Sequence, residues 1–153
     1  MKTGVDIQNY LPHRAPMLMV DLILEIDANF VETIFLIQED NIFVDNNIFI
    51  EAGLIENTAQ TCSSIVGKKY FFEEDGTENE NVNVLGFISA LKNLKIHSLP
   101  KVGDTIITKA TLVSKFTGDD YTLCTMNCES VLGDQLLLEC EINLFIQKTV
   151  SVE

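Results

Sequence analysis

The chain has 153 residues, 46% hydrophobic content and a formal net charge of −13, which together describe one acidic domain with a buried core. Such acidity argues against nucleic-acid binding, which needs clustered basic residues. The first ten residues lack the pattern of a signal peptide, and no apolar run reaches the roughly 18–20 residues of a membrane span. We therefore expect a single domain over residues 1–153, cytoplasmic, with no membrane span and no nucleic-acid partner.

Cysteine and histidine are placed in a way that argues against a metal centre. The two histidines, His13 and His97, are far apart in sequence, and no Cys-x-x-Cys pair is present. Zinc sites in proteins are usually built from cysteines and histidines that lie a few residues apart in sequence. The sequence therefore predicts no metal and no cofactor, and the cysteines are predicted to be reduced, space-filling core residues. They are Cys62, Cys124, Cys128 and Cys140.

The N-terminal third predicts two strands and irregular connections. Residues 1–10 favour a short turn or helix, and the prolines at 12 and 16 exclude regular helix between them. Apolar and β-branched residues predict strands over residues 17–26 and 29–38, with the hairpin turn at Asp27-Ala28. Aspartates and asparagines mark residues 39–50 as a loop.

Residues 51–66 form the one long helical pattern in the sequence. Gly67 is a plausible terminator, although residues 68–72 extend the helix by a turn if it does not stop there. Small side chains recur at helical spacing, so a sheet can approach this helix closely. Glu56 and Gln60 are four residues apart and therefore share one face. The acidic run that follows, residues 73–81, is predicted to be a solvated loop.

The C-terminal half predicts four long strands, at residues 83–97, 104–117, 120–132 and 135–147. The last three are consecutive, which favours an antiparallel meander. One long helix beside so long a sheet is an α+β arrangement, and the sheet must curve around the helix to bury it. We therefore predict a hot-dog fold, with a central helix wrapped by a curved, mostly antiparallel sheet.

Three segments resemble the β-hydroxyacyl-(acyl carrier protein) dehydratases. Residues 11–21, Leu-Pro-His-Arg-Ala-Pro-Met-Leu-Met-Val-Asp, resemble the opening motif of that family, and residues 56–60, Glu-Asn-Thr-Ala-Gln, its helix signature. Residues 84–105 look like its central strands and tight turn. The Gly86-Phe87 pair and Gly53 are most similar to the dehydratase subunits of aryl-polyene and flexirubin-type pigment clusters.

The resemblance implies a dimer that removes water from a 3-hydroxyacyl thioester. In that family a histidine of a His-Phe-Pro-Gly motif, in the loop before the helix, pairs with the helix glutamate of the other subunit. The acyl chain runs in a tunnel between protomers. This sequence departs from the pattern, since residues 41–50 contain neither the histidine nor the motif.

Elimination of water needs a base for the C2 proton and an acid for the departing C3 hydroxyl. Glu56 is the candidate acid, or else a structural carboxylate at an interface. His13 is the candidate substitute base, or else a packed residue whose ring bonds backbone. Gln60 either orients Glu56 or anchors the helix to backbone.

The elimination also needs donors for the oxygen of the thioester. We assign substrate binding to Gln60, Gly53, Gly86 and Phe87, with backbone N–H groups near the two glycines as candidate donors. The expected substrate is an acyl thioester on acyl carrier protein or coenzyme A.

Several functions remain open at this point. The chain either pairs with a histidine-bearing second hot-dog subunit and contributes Glu56 to a composite site, or acts as a homodimer with His13 or a water completing the site. We favour the first, which accounts for a retained glutamate beside an absent histidine. A non-catalytic acyl-binding subunit is the alternative, and a hot-dog thioesterase is less favoured.

Overall fold

A computed structural model describes residues 5–71 and 82–150 of the chain. Its elements are β1 (Val5–Asp6), a 3-10 helix (Ile7–Asn9), β2 (Leu22–Ile26), β3 (Phe30–Leu36), β4 (Val44–Asp45), β5 (Ile48–Phe49), α1 (Glu51–Phe71), β6 (Val82–Ile96), β7 (Thr105–Thr117), β8 (Tyr121–Leu132) and β9 (Gln135–Val150). The predicted acidic loop at residues 73–81 lies outside the described residues.

Seven strands form one antiparallel sheet in the order β1-β2-β3-β7-β8-β9-β6. The predicted meander is present as β7, β8 and β9, and β6 returns to pair with β9 at one edge. The helix α1 packs across the sheet and contacts β3, β6, β7, β8 and β9. The hot-dog fold is thus confirmed, as one helix packed against a large antiparallel sheet that does not close into a barrel.

Alternation of buried and exposed residues explains why the meander covers the helix. Along β8, every second residue from Thr122 to Ser130 is buried, and the residues between them are exposed or half-buried. Successive side chains of a strand point to opposite faces. The buried set therefore faces α1, and the other set forms the outer face of the sheet.

The predicted helix continues past Gly67 to Phe71, so the longer of the two alternatives is correct. The helix is buried on most sides, from Gly53 to Val66. Gly53 allows this close packing at its first turn, because a Cβ there would lie 2.5 Å from Phe49 Cε2 and 2.6 Å from Phe43 Cβ.

The predicted strand over residues 17–26 begins only at Leu22. The backbone of Met19 does not join a strand, because it bonds two helix side chains. Its N–H donates to Gln60 Oε1 at 2.7 Å, and its carbonyl accepts from Asn57 Nδ2 at 2.7 Å. Side chains of α1 therefore replace the neighbouring strand for this segment.

The predicted loop at residues 39–50 contains a two-residue hairpin between β4 and β5. Asn46 and Asn47 form its turn with φ of 49° and 68°. Asparagine is one of the few residues that adopt this left-handed region readily, and two in succession favour a tight hairpin turn. The segment before the helix is thus a small hairpin, and the chain then enters α1 at Glu51.

A chain of hydrogen bonds runs beneath the helix. Thr108 Oγ1 donates to Asn57 Oδ1 at 2.6 Å and lies 2.7 Å from Ser130 Oγ. With the bond from Asn57 to the Met19 carbonyl, this network joins the N-terminal segment, the helix and strands β7 and β8. All three polar side chains are fully buried, so each depends on its partners.

All four cysteines are buried and free, as predicted. The sulfur atoms of Cys62 and Cys128 lie 3.2 Å apart between the helix and β8. Burial raises the pKa of the Cys124 thiol to about 11, which keeps it protonated and unreactive. Among the described residues, no group of three or more histidines, cysteines or carboxylates is arranged to hold a metal ion. No described helix is long and apolar enough to cross a membrane.

We expect Asn57→Ala to lower the free energy of unfolding by about 2–3 kcal/mol, because the Met19 carbonyl would lose its buried donor and Thr108 its acceptor. Urea denaturation followed by circular dichroism measures this change. Asn127→Ala, at an exposed position of β8, is the matched control and should stay within about 0.5 kcal/mol of wild type. Equal effects of the two substitutions would contradict a structural role for the network.

Candidate active site

A cavity of about 50 Å³ lies between one face of α1 and the edge strand β6. Glu56, Gln60 and Ser63 line it from the helix, since residues 56, 60 and 63 are one turn apart on the same face. His13 lines it from the N-terminal segment, and Gly86 from β6. The structure therefore brings together five of the six predicted site residues, which are His13, Glu56, Gln60, Gly86 and Phe87.

Gln60 organises the site through three hydrogen bonds. Its Nε2 donates to Glu56 Oε1 at 2.9 Å and to the Met17 carbonyl at 2.8 Å, and its Oε1 accepts from the Met19 N–H at 2.7 Å. The residue is almost completely buried, and these bonds provide hydrogen-bond partners for the polar atoms of its side chain. Gln60 thus makes both contacts that the sequence left as alternatives, one to Glu56 and the others to backbone.

The segment before Met17 is folded into a tight turn that presents His13. The Arg14 guanidinium donates to the carbonyls of Leu11 and His13, both at 2.8 Å. The Ala15-Pro16 peptide bond is cis. In this arrangement His13 Nε2 lies 3.9 Å from Glu56 Oε1 of the same chain, and each side chain is about a quarter exposed, 28% and 26%.

The surroundings of His13 favour a neutral imidazole. Burial lowers its pKa below the ordinary value of 6.5; the Glu56 carboxylate opposes this, and the Arg14 cation adds to it. The ring atom Nδ1 is buried and has no hydrogen-bond partner. The ionised Glu56 carboxylate can only accept hydrogen bonds, so it favours a proton on the ring nitrogen nearest to it. The proton of the neutral ring is therefore best placed on Nε2, the nitrogen that faces Glu56.

Phe87 lies at the margin of this cavity, whereas Gly53 lies outside it. Gly53 packs against Phe43 and Phe49 at the start of the helix. The Phe87 ring lies 6.5 Å from the Phe145 ring, on the face of β6 opposite to that of Gly86, so its backbone rather than its ring borders the cavity. His97 is far from this cavity and lies 3.7 Å from Glu139 Oε2 at the surface.

Comparison with known proteins identifies the family. The sequence model described as "ApeP-like: ApeP dehydratase" matches residues 5–152. The chain belongs to the ApeP-like dehydratase family. It is also 27% identical over 159 aligned positions to the 3-hydroxyacyl-[acyl-carrier-protein] dehydratase FabZ of Chlamydia muridarum, with 96% of this chain and 94% of the relative covered. The predicted resemblance to hot-dog dehydratases is thereby confirmed.

Solved structures confirm the fold. The dehydratase heterocomplex ApeI:P of Xenorhabdus doucetiae contains a chain that matches with a TM-score of 0.76 and 16% identity, covering 94% of this chain and 91% of that one. A hypothetical thioesterase solved with coenzyme A, from Streptococcus pneumoniae, matches with a TM-score of 0.58 and 12% identity, covering 84% and 87%. A dehydratase and a hypothetical thioesterase thus share this fold, so the fold does not distinguish them. The assignment of this chain to the dehydratases rests on the sequence match.

Sequence reasoning missed the structural function of Asn57 and the place of Ser63 in the cavity wall. Ser63 lies seven residues after Glu56, which is two helical turns, and this spacing is the signal that places it on the same face. Asn57 carries a weaker signal, a polar residue in a helix that is otherwise rich in small and apolar side chains.

We expect His13 to titrate below pH 6.5, because burial disfavours the charged ring. The chain has two histidines, so His97→Gln leaves His13 as the single imidazole and allows its NMR titration to be followed directly. A pKa at or above 6.5 would contradict the buried, neutral ring.

The lowered pKa of His13 also predicts how the stability of the protein changes with pH. The unfolded chain binds the His13 proton more tightly than the folded chain does, so stability rises with pH in the range where only the unfolded form is protonated. The contribution of the neutral His13 ring to the free energy of unfolding is fully present above pH 6.5. It is lost as the pH falls through the lower pKa of the folded state. In His13→Gln, denaturation curves should lack this part of the pH dependence.

Proposed function

We propose that this chain is one subunit of a 3-hydroxyacyl thioester dehydratase, acting on acyl groups bound to acyl carrier protein, and that a second hot-dog subunit completes its active site. The observation that carries the proposal is the arrangement of Glu56. Its carboxylate is oriented by Gln60, lies beside a neutral histidine, and faces a cavity bordered by the open edge strand β6.

The chemistry assigns Glu56 the proton transfer at C3. In the elimination a base removes the C2 proton, the electron pair forms the C2–C3 double bond, and the C3–O bond breaks. The departing hydroxyl takes a proton from the acid and leaves as water. Glu56 is positioned to supply that proton, because Gln60 binds its Oε1 and leaves Oε2 without a bond among the described contacts.

His13 fits a donor better than it fits the base. With the proton on Nε2 and Nδ1 buried, the ring presents an N–H and no lone pair to the cavity. Such a donor orients Glu56 or bonds a substrate oxygen placed between the two side chains. The other histidine, His97, lies elsewhere on the surface. The base for the C2 proton is therefore assigned to the partner.

The edge strand β6 supports a second hot-dog subunit as that partner. Phe87 is 52% exposed and Ile88 is 39% exposed, and among the described strands β6 pairs with β9 alone. An exposed apolar edge of this kind is a template for pairing with another strand. A homodimer would bring two copies of Glu56 and no base, so a histidine-bearing partner is favoured. The related ApeI:P dehydratase is itself a heterocomplex.

The carrier-bound substrate is supported by the FabZ relative, whose name specifies 3-hydroxyacyl groups on acyl carrier protein. None of the described residues that line this cavity is assigned as the base, and this also supports a second candidate function. In that case the chain is a non-catalytic subunit that binds the acyl thioester while the partner carries out both proton transfers.

We expect Glu56→Gln in the assembled complex to lower dehydration turnover by roughly 10²–10⁴-fold, since the amide cannot supply the proton. The matched control is Glu51→Gln, an exposed glutamate one turn earlier in the same helix. The assay follows formation of the enoyl thioester, with circular dichroism and gel filtration to establish that fold and assembly are intact. Unchanged turnover in an intact Glu56→Gln complex would favour the non-catalytic subunit.

We also expect dehydration by this chain to require the second subunit. The chain alone should convert a 3-hydroxyacyl carrier protein at least about 10²-fold more slowly than the complex, because one of the two proton-transfer groups is absent. Co-purification and a side-by-side enoyl assay measure this dependence. A homodimer that dehydrates at the rate of the complex would exclude the composite site, and release of free thiol instead would indicate a thioesterase.

A further inference from the structure

We infer that the outer face of the sheet is a second interface, on which another copy of this chain packs face to face about a two-fold axis parallel to the strands. The face consists of the outward side chains of β3, β7, β8, β9 and β6, which are neighbours in that order. The inference goes beyond the proposed function, because this surface is separate from the Glu56 cavity and from the edge of β6.

A row of apolar side chains crosses this face near the turn between β7 and β8. Phe116, Leu123, Phe145 and Phe87 are successive partners in the register of β7, β8, β9 and β6. The Tyr121 ring lies beside them, 6.0 Å from the Phe116 ring and 5.6 Å from the Phe145 ring. Phe116 is 58% exposed and Leu123 is 41% exposed. Exposed apolar residues that adjoin in this way mark an interaction surface.

A row of charged side chains crosses the same face farther along the strands. It contains one residue from each of β3, β7, β8, β9 and β6, in the order Glu32, Lys109, Glu129, Glu139 and Lys95. At its centre, Glu129 and Glu139 lie directly opposite each other on neighbouring strands. Like charges in directly opposite positions destabilise a sheet. The pair of carboxylates therefore favours a cation facing it from outside the chain.

A two-fold axis along β8 provides that cation. Rotation about this axis reverses the order of the five strands and keeps each row at its own level, with β8 in the middle. Lys109 of one copy then faces Glu139 of the other, and Glu32 faces Lys95, each twice by symmetry. Glu129 lies on the axis and faces its own copy, with Lys109 as its neighbour on β7. The row of charges is thus complementary to itself.

The same axis matches the two apolar rows. Phe116 of one copy faces Phe145 of the other, and Leu123 faces Leu123. The strands of the two copies remain aligned, as in sandwiches whose two sheets cross at about 30°. An apolar centre beside a polar, charged margin is also the usual composition of a protein interface.

The size of the face suits a stable contact. β8 has 12 residues and is roughly 40 Å long, and five strands spaced about 4.8 Å apart are roughly 19 Å across. The face therefore has an area of roughly 750 Å², which is close to the 800 Å² or so that each partner buries in an interface of standard size.

A second copy fits this face better than other partners do. A subunit that pairs with β6 lies in the plane of the sheet, because strands bond to each other in that plane, so it leaves the outer face open. A strongly basic partner would face like charges at Lys109 and Lys95, and a strongly acidic one would face them at the three glutamates of the row. The reversed row of the same chain avoids both.

The test measures self-association of the full-length chain, alone and in the assembled complex, by sedimentation velocity. Lys109→Glu places carboxylates opposite Glu139 at both symmetric contacts, and Glu139→Lys places cations opposite Lys109. Each substitution by itself should raise the dissociation constant for self-association by roughly tenfold or more, because facing like charges oppose association. Neither residue lines the Glu56 cavity, so the dehydration rate should not change.

An equimolar mixture of the two variants gives the decisive result. A copy with Lys109→Glu and a copy with Glu139→Lys present opposite charges at both symmetric contacts, so the mixture should associate as tightly as the wild-type chain. Recovery of association also shows that both variants are folded. The matched control is Lys101→Glu, which makes the same change of charge in the turn before β7, outside both rows, and should associate like the wild type.

Three outcomes overturn the inference. A wild-type chain that does not self-associate leaves the face without a second copy. Two variants that each associate like the wild type place the contact elsewhere, at the edge of β6 for example. A mixture that does not recover association rejects the facing of Lys109 and Glu139, and with it the two-fold arrangement.

Discussion

The site depends on one buried side-chain amide. Gln60 has two N–H donors and a carbonyl oxygen, and it bonds the Met17 carbonyl, Glu56 and the Met19 N–H. A carboxylate at this position has no donor for the first two partners. A buried polar group left unpaired costs about 1–3 kcal/mol, so the loss of any one of these bonds destabilises the arrangement of the other two. The amide that orients the candidate acid therefore also fastens the His13-bearing segment to the helix.

That coupling places the candidate acid beside His13 within one chain. The His13 ring lies close to Glu56 through the turn that Arg14 closes. The carboxylate can only accept hydrogen bonds, so it favours an N–H on the ring nitrogen that faces it. The segment before the helix, where the resemblance implies a histidine, is an Asn46-Asn47 hairpin here. The proposed division of the two proton transfers between two chains rests on these positions, and the exposed apolar residues of β6 are the proposed surface for the second chain.

Local sequence patterns predicted secondary structure correctly where burial of one strand face was the dominant constraint. Alternation identified the strands of the meander to within a few residues, since one face of each is buried against the helix. The same reasoning was wrong for residues 17–21, which are apolar enough for a strand. The Met17 carbonyl and both backbone groups of Met19 are instead bonded by Asn57 and Gln60, which are 38 and 41 residues away from Met19. Hydrogen bonds over such separations leave no periodic signal in a local window.

The sequence by itself determined the fold class and the family, because hydrophobic period, turn residues and three ordered motifs are local properties of the chain. Residue type and helical spacing identified Glu56 and Gln60 as candidates, and the family resemblance added His13. Only the tertiary structure decided that His13 and Glu56 lie 3.9 Å apart in one chain, and that Gly53 fills a packing position while Gly86 borders open space. Such distinctions depend on what each residue contacts after the sheet has curved around the helix, and a glycine's neighbours across space are not encoded in its neighbours along the chain.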